Sequence, residues 1–292
     1  MATLCSRGDL ERLRARAGQP ALAPAAQRLR RDCDRFLAAA LAVPERPAGF
    51  YHDYFCPTHA VQLEFDPARP DRHRCPGGGE IHSGDPFDAA WLWFVNNQLS
   101  TMAFSLAVRW RMDEERSALQ RVGEILLGYA GVYRSYETTT PRSRGRAAAL
   151  ATNRRQGEPP PPQSDGLGKA TYQSLDEAVW LIPLVRAYDL VRGHLPDFDR
   201  ERIESGLLRP AAEHIRSQRY RTIHNIENWH NAALAAVGFC LDDAELVELA
   251  IDAEFGFHGQ LDACVRKDGL WWEGSSSYHF YALWPLLLLA QV

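Results

Sequence analysis

Several features are scarce in this chain, and each scarcity excludes something. The opening "MATLCSRGDLERLRARAG" has no apolar core of signal-peptide length, and no run elsewhere is long enough to cross a bilayer. No membrane partner is therefore expected. A cytoplasmic location is the expectation, with a periplasmic or secreted one left open. Positive charge is also short: 33 Lys and Arg stand against 37 Asp and Glu, a net charge of −4. A polyanion can then bind only in a local patch, and no nucleic-acid partner is expected. Six cysteines, at 5, 33, 56, 75, 240 and 264, are too few for a disulfide framework. Strand signals are confined to about residues 50–84 and to "GLWWEG", and no sequence repeat marks a regular array.

What is present is helix-period sequence. Hydrophobic residues make up 46% and charged residues 24%, the balance of a globular chain. Segments such as "DAAWLWFVNNQLSTMAFSLAVRW", "SLDEAVWLIPLVRAYDLVRGHL" and "NWHNAALAAVGFCL" repeat apolar residues at three- and four-residue intervals. Asp197 or Asp199, and "LDDAEL", supply caps. Short connections imply antiparallel neighbours. The expected fold is mainly α: a toroid or solenoid of antiparallel helical hairpins with one small β-hairpin. The boundaries read as an N-terminal helical segment over 1–49, a hairpin knuckle over 50–84 and the helical toroid over 85–292. "YALWPLLLLAQV" stops inside an apolar run without a cap, so the chain is expected to be the N-terminal part of a longer protein.

The knuckle reads "YFCPTHAVQLEFDPARPDRHRCPGGGEIHSG". Cys56-Pro-Thr-His59 and Cys75-Pro-Gly-Gly78 are two Cys-Pro turns flanking a hairpin, as in a zinc ribbon. Gly78 stands where a second CxxC would end, so Cys56, His59 and Cys75 need a fourth ligand, His82 or His73. If zinc binds, it is structural. The other reading is a hairpin that no longer holds metal.

Two further stretches are crowded with polar groups. "HNIENWHN" places three asparagines and two histidines at the mouth of an apolar helix. Asn225 or Asn228 is enough to cap it. The surplus makes a donor-rich helix mouth suited to a carboxylate. "GLWWEGSSSYHFYALW" interleaves Trp271, Trp272, Tyr278, Phe280, Tyr281 and Trp284 with Glu273, Ser275, Ser276 and His279. Aromatic faces beside hydroxyl partners suit a pyranose ring, and an aromatic core is the alternative.

Together with "YHDYFCP", "HRCP", "SLDEAVWLIPLVRAYDL" and "AIDAEFGFHGQLD", these stretches resemble the N-terminal helical domain of the heparinase II/III family of bacterial polysaccharide lyases. The resemblance covers most of residues 50–290. It implies an incomplete (α/α) toroid, a C-terminal β-sandwich domain missing from this chain, and β-elimination on uronic-acid glycans. No catalytic cofactor is implied, and the partner is an acidic polysaccharide or oligosaccharide. Carried over by motif, Asn228 with His230 neutralises the uronate carboxylate, and Tyr281, with Tyr278 in reserve, is the base that takes the C5 proton. Gln173, Glu177, Trp229, Trp272, Glu273 and His279 line the substrate. Pro285 is expected to kink the helix that carries Tyr281.

Two other functions compete. A glycoside hydrolase on the same toroid needs two carboxylates facing one bond, with Asp176, Glu177, Asp268 and Glu273 as candidates. A non-catalytic carbohydrate-binding protein needs only the aromatic platform. Finally, Arg142, Arg144, Arg146, Arg154 and Arg155 either gather an acidic substrate or form a solvated loop. Charge reversal of this loop raises KM and flattens its salt dependence on the first reading and changes neither on the second; steady-state kinetics across ionic strength separates them.

Overall fold

The computed structural model describes residues 4–39, 41–139, 159 and 162–291. The five arginines from Arg142 to Arg155 lie outside the described residues. The chain is helical nearly throughout: α1 (Arg7–Ala17), α2 (Ala23–Ala39), α3 (Phe87–Asp113), α4 (Arg116–Val132), α5 (Ser174–Val191), α6 (Asp197–Ile203), α7 (Arg209–Ser217), α8 (Asn225–Leu241), α9 (Ala244–Ile251), α10 (Phe257–Cys264) and α11 (Ser276–Leu289). Among the described residues the only sheet pairs β1 (His73–Arg74) with β2 (Ile81–His82), antiparallel, His73 opposite His82. No described helix is long and apolar enough to cross a membrane. All six cysteines are free.

The helices form two layers. α3, α5, α8 and α11 pack side by side as an inner layer, α5 between α3 and α8, and α11 against α8. α4, α6–α7 and α9 return along the outside. Contacts between Ser174 and His230 and between Asn225 and Glu273 bring the N-terminal ends of α5, α8 and α11 together. This is the incomplete toroid of helical hairpins. The interface is apolar: Leu99, Leu106, Ile125, Leu126, Trp180, Leu181 and Leu184 are all fully buried or nearly so. α5 and α8 are buried almost all round, as central helices must be.

Two prolines test the outer and last helices. Between α6 and α7 the chain widens into a π turn, Glu204–Leu208. Pro210, just beyond it, has no N–H for the Gly206 carbonyl and would crowd it in a regular α turn, which favours the wider one. Pro285 lies within α11, which continues to Leu289. It withholds the N–H that the Tyr281 carbonyl would otherwise accept.

Acidic side chains fasten the loops that lead into the inner helices. Glu177 accepts from the N–H groups of Lys169, Ala170 and Thr171 at 2.8–3.1 Å, from the Thr171 hydroxyl at 2.7 Å and from the Tyr133 hydroxyl at 2.8 Å. Glu227 accepts from Arg219 Nε at 2.6 Å and from the N–H groups of Tyr220 and Arg221. Burial alone would raise the Glu227 carboxyl, but His230 and Arg219 outweigh it and hold it below its ordinary range. Both Arg219 and Glu227 are buried. Arg219→Ala removes one partner of a buried ion pair and is expected to cost roughly 3–5 kcal/mol, measured by urea unfolding at neutral pH.

Candidate active site

The crowded mouth of α8 resolves residue by residue. His224, not an asparagine, is the cap: its Nδ1 accepts from the Ile226 N–H at 3.1 Å. Asn225 is turned to Glu273, donating from Nδ2 at 2.8 and 3.0 Å and from its backbone at 3.2 Å. Asn231 donates to the Phe255 carbonyl and accepts from Arg219. His230 lies between Glu227 Oε2, 3.2 Å away, and Ser174 Oγ, 2.9 Å away. That leaves Asn228. It is fully buried, and among the described residues neither its amide nitrogen nor its amide oxygen has a hydrogen-bond partner. A buried amide with neither group paired costs on the order of 1–3 kcal/mol per group. Such a group in a folded protein calls for an explanation.

The surroundings of Asn228 supply one. Asn225 and Asn228 lie three residues apart on one face of α8, and Asn225 reaches the segment that leads into α11. The next residue, Trp229, contacts Tyr281 of α11 with ring centroids 5.3 Å apart. Tyr281 in turn senses Asp176, Tyr51 and Tyr278 electrostatically. Gln173 and Trp93 lie beside Asp176, and Tyr51 packs on Trp93 at 4.7 Å. Phe50 carries the aromatic wall on to Tyr172. The early turns of α3, α5, α8 and α11 therefore meet in one cleft. The first turns of α5 and α8, with Asp176 and Asn228, border it, a setting that favours an anion.

The chain is similar to alginate lyases. It is 35% identical over 188 residues, 62% of its length, to an alginate lyase of Stenotrophomonas maltophilia. It is 34% identical over 143 residues, 46% of its length, to an exo-oligoalginate lyase of Saccharophagus degradans. The chain spans about a fifth of the length of these relatives, 22% and 19% respectively. No family model matches it.

Of the residues expected at the site, Asn228, Trp229, Tyr278, Tyr281 and Gln173 come together. Others do not. Glu177 is spent on the loop 169–171 and Tyr133, so it has no reach to a substrate. His230 is buried between Glu227 and Ser174, where it ties α8 to α5. Glu273 accepts from Asn225 and from Trp271 Nε1 at 2.6 Å. His279 Nδ1 accepts from the Trp271 N–H at 3.2 Å. These two brace the loop before α11. Trp272 packs against the small apolar cluster of Trp271, Cys264 and Leu286. Asp268 accepts from the Leu270 N–H within its own turn. The four carboxylates of the hydrolase reading thus do not face one another, and of them only Asp176 borders the cleft.

Asp176, Tyr51 and Trp93 are the cleft residues that the sequence reading missed as lyase-site residues. Asp176 and Glu177 are adjacent and so diverge by about 100° on the helix; one turns to the loop, the other to the cleft. Tyr51 lies in "YHDYFCP", whose aromatic density was a usable signal. Burial pushes the Asp176 carboxyl up to about 7, although Gln173 and Trp93 pull it back. One carboxylate oxygen, Oδ2, has no described partner. Burial, and then Asp176, also push the Tyr281 phenol well above its ordinary value.

The raised Asp176 has a stability consequence of definite sign. From its ordinary value of 3.8 up to about 7, the folded protein keeps a proton that the unfolded chain has lost. Stability therefore falls as pH rises through that window and levels off above it. Asp176→Asn removes the effect. Urea unfolding across the pH range should show the variant gaining on wild type from about pH 4 to about 7, with a constant advantage beyond.

Proposed function

We propose that this chain is the helical part of a polysaccharide lyase of the heparinase II/III kind, cleaving uronic-acid glycans by β-elimination. The observation that carries the reading is the buried, unpartnered amide of Asn228 at a cleft where inner-helix N-termini meet. An amide nitrogen there donates to a substrate carboxylate. This withdraws charge from the carboxylate and makes the C5 proton acidic, and the helix dipoles reinforce it. Trp229, Tyr51 and Trp93 offer faces for sugar rings. The similarity to two alginate lyases supports a uronate substrate.

Elimination moves a proton from C5 to a base, forms the C4–C5 double bond, breaks C4–O4 and protonates the departing oxygen. Tyr281 is the group placed to exchange protons with the sugar. Burial and Asp176 push its phenol up and so disfavour the phenolate in the resting cleft; once the phenolate has taken the C5 proton, that proton passes to the departing oxygen and the phenolate is regenerated. Its phenolate takes the C5 proton once a cation or strong donors lie beside it. None of the cleft residues named above is a cation. His230 acts indirectly, by fixing the first turn of α8 against Ser174. The reaction as written draws on no cofactor.

The absorbance of an unsaturated uronate product tests the reaction class. On alginate-type oligosaccharides, activity should appear as this absorbance; new reducing ends without it would mean hydrolysis. Tyr281→Phe removes only a hydroxyl and should lower the rate by roughly 10²–10⁴-fold with the fold intact by circular dichroism. Asn228→Ala should cost about a hundred- to thousandfold in kcat. Wild-type turnover in both Tyr281→Phe and Tyr278→Phe would sink the tyrosine assignment.

A further inference from the structure

We propose that the knuckle binds a zinc ion between Cys56 Sγ, Cys75 Sγ, His59 Nδ1 and a Glu80 carboxylate oxygen. Glu80 takes the place that the spacing of the sequence had left to His82 or His73. The site lies in the β-hairpin, apart from the cleft.

The two Cys-Pro turns are built alike. The Ala60 N–H donates to the Cys56 carbonyl and the Gly79 N–H to the Cys75 carbonyl, both at 2.8 Å. The Cys56 N–H donates to Val61 and the Cys75 N–H to Glu80, again at 2.8 Å. The fifth residue of each turn is left-handed, with φ of +52° at Ala60 and +84° at Gly79. Ala60 holds this conformation despite its Cβ, which is unusual for an ordinary residue. Paired turns of this kind aim their cysteines at a common point.

The ligand atoms are at metal-binding distances. His59 Nδ1 is 3.5 Å from Cys56 Sγ and 3.5 Å from Cys75 Sγ. It is 3.6 Å from Glu80 Oε2, and all four ligand atoms lie within 4.8 Å of one another. Zn–S of about 2.3 Å and Zn–N of about 2.0 Å at the tetrahedral angle set sulfur and nitrogen about 3.5 Å apart. Both cysteines are buried, while His59 and Glu80 remain partly open to solvent, which gives an ion a way in.

Gly78 explains why a glutamate serves. A Cβ there would meet the Glu80 carboxylate oxygens at 2.4 and 2.5 Å and His59 Cε1 at 2.5 Å. The space where a second CxxC would place its last side chain is occupied by Glu80 and His59. Neither His73 nor His82 is among the groups whose ligand atoms come together there. His73 lies between the Tyr54 hydroxyl, 2.8 Å away, and Asp88 Oδ1, 2.9 Å away. His82 packs against Phe87. Four protein ligands leave no open position, so the ion is structural. It would clamp the two turns beside Tyr54, whose ring packs on Phe94 of α3.

The test uses the whole chain, purified without chelator. Equimolar zinc by elemental analysis is expected, and cobalt exchange should give tetrahedral d–d bands with a thiolate charge-transfer band. Cys75→Ser should weaken that band, since one thiolate of the two remains. Because it may not fold, the surface variants decide. Glu80→Ala should weaken zinc binding, in competition with a chromophoric chelator, by more than the roughly 10- to 100-fold that an outer-sphere partner costs. His82→Ala should leave affinity unchanged. Protein that holds no zinc above the blank after zinc supplementation under reducing conditions would overturn the site. So would a native Cys56–Cys75 disulfide, seen as two thiols missing from the six. Unchanged affinity in Glu80→Ala, or a loss in His82→Ala, would overturn the ligand set.

Discussion

The structure depends on acidic side chains in the first turns of its inner helices. Asp88 in α3 meets His73 of the knuckle, Glu177 in α5 gathers the loop 169–171, and Glu227 in α8 gathers Arg219, Tyr220 and Arg221. A carboxylate in a first turn is already favoured by the helix dipole. Here it does a second task, because it accepts N–H groups from the segment that leads into its helix. Each such segment is folded back over the helix mouth. The loops then stand at the end of the toroid where the cleft lies, and their aromatic residues form its wall.

Two of the buried polar side chains without a hydrogen-bond partner border the cleft. Around it, nearly every buried polar group at the mouth of α8 is satisfied by design of the loops. In it, Asn228 is left with neither amide atom paired, and Asp176 carries a strongly raised carboxyl. Both features destabilise the folded chain, and neither serves packing.

Adjacent residues divide these roles. Glu177 and Asp176 share a dipeptide, yet one carries the fold and the other borders the cleft. Trp229 and His230 do the same on α8: the tryptophan meets Tyr281, and the histidine binds Ser174 on α5. A single substitution scan of these stretches therefore mixes loss of stability with loss of activity, and pairs of neighbours are the informative comparison.

The sequence by itself determined the helical hairpins, the position of the knuckle and the two polar-aromatic stretches that meet in the cleft. Those features depend on local physics: the 3.6-residue period of apolar positions, short connections and turn-forming Cys-Pro pairs. What only the tertiary structure decided was which polar groups were already spoken for. Whether Glu177, Glu273 or His230 is free for a substrate depends on loops 169–171 and 219–221 and on Trp271, none of which is adjacent in the relevant helix. Glu80 rather than His82 faces the knuckle cysteines because two turns close on one another across Gly78. Hydrogen-bond partners are set by contacts between distant segments, and a linear pattern of residue types does not contain them.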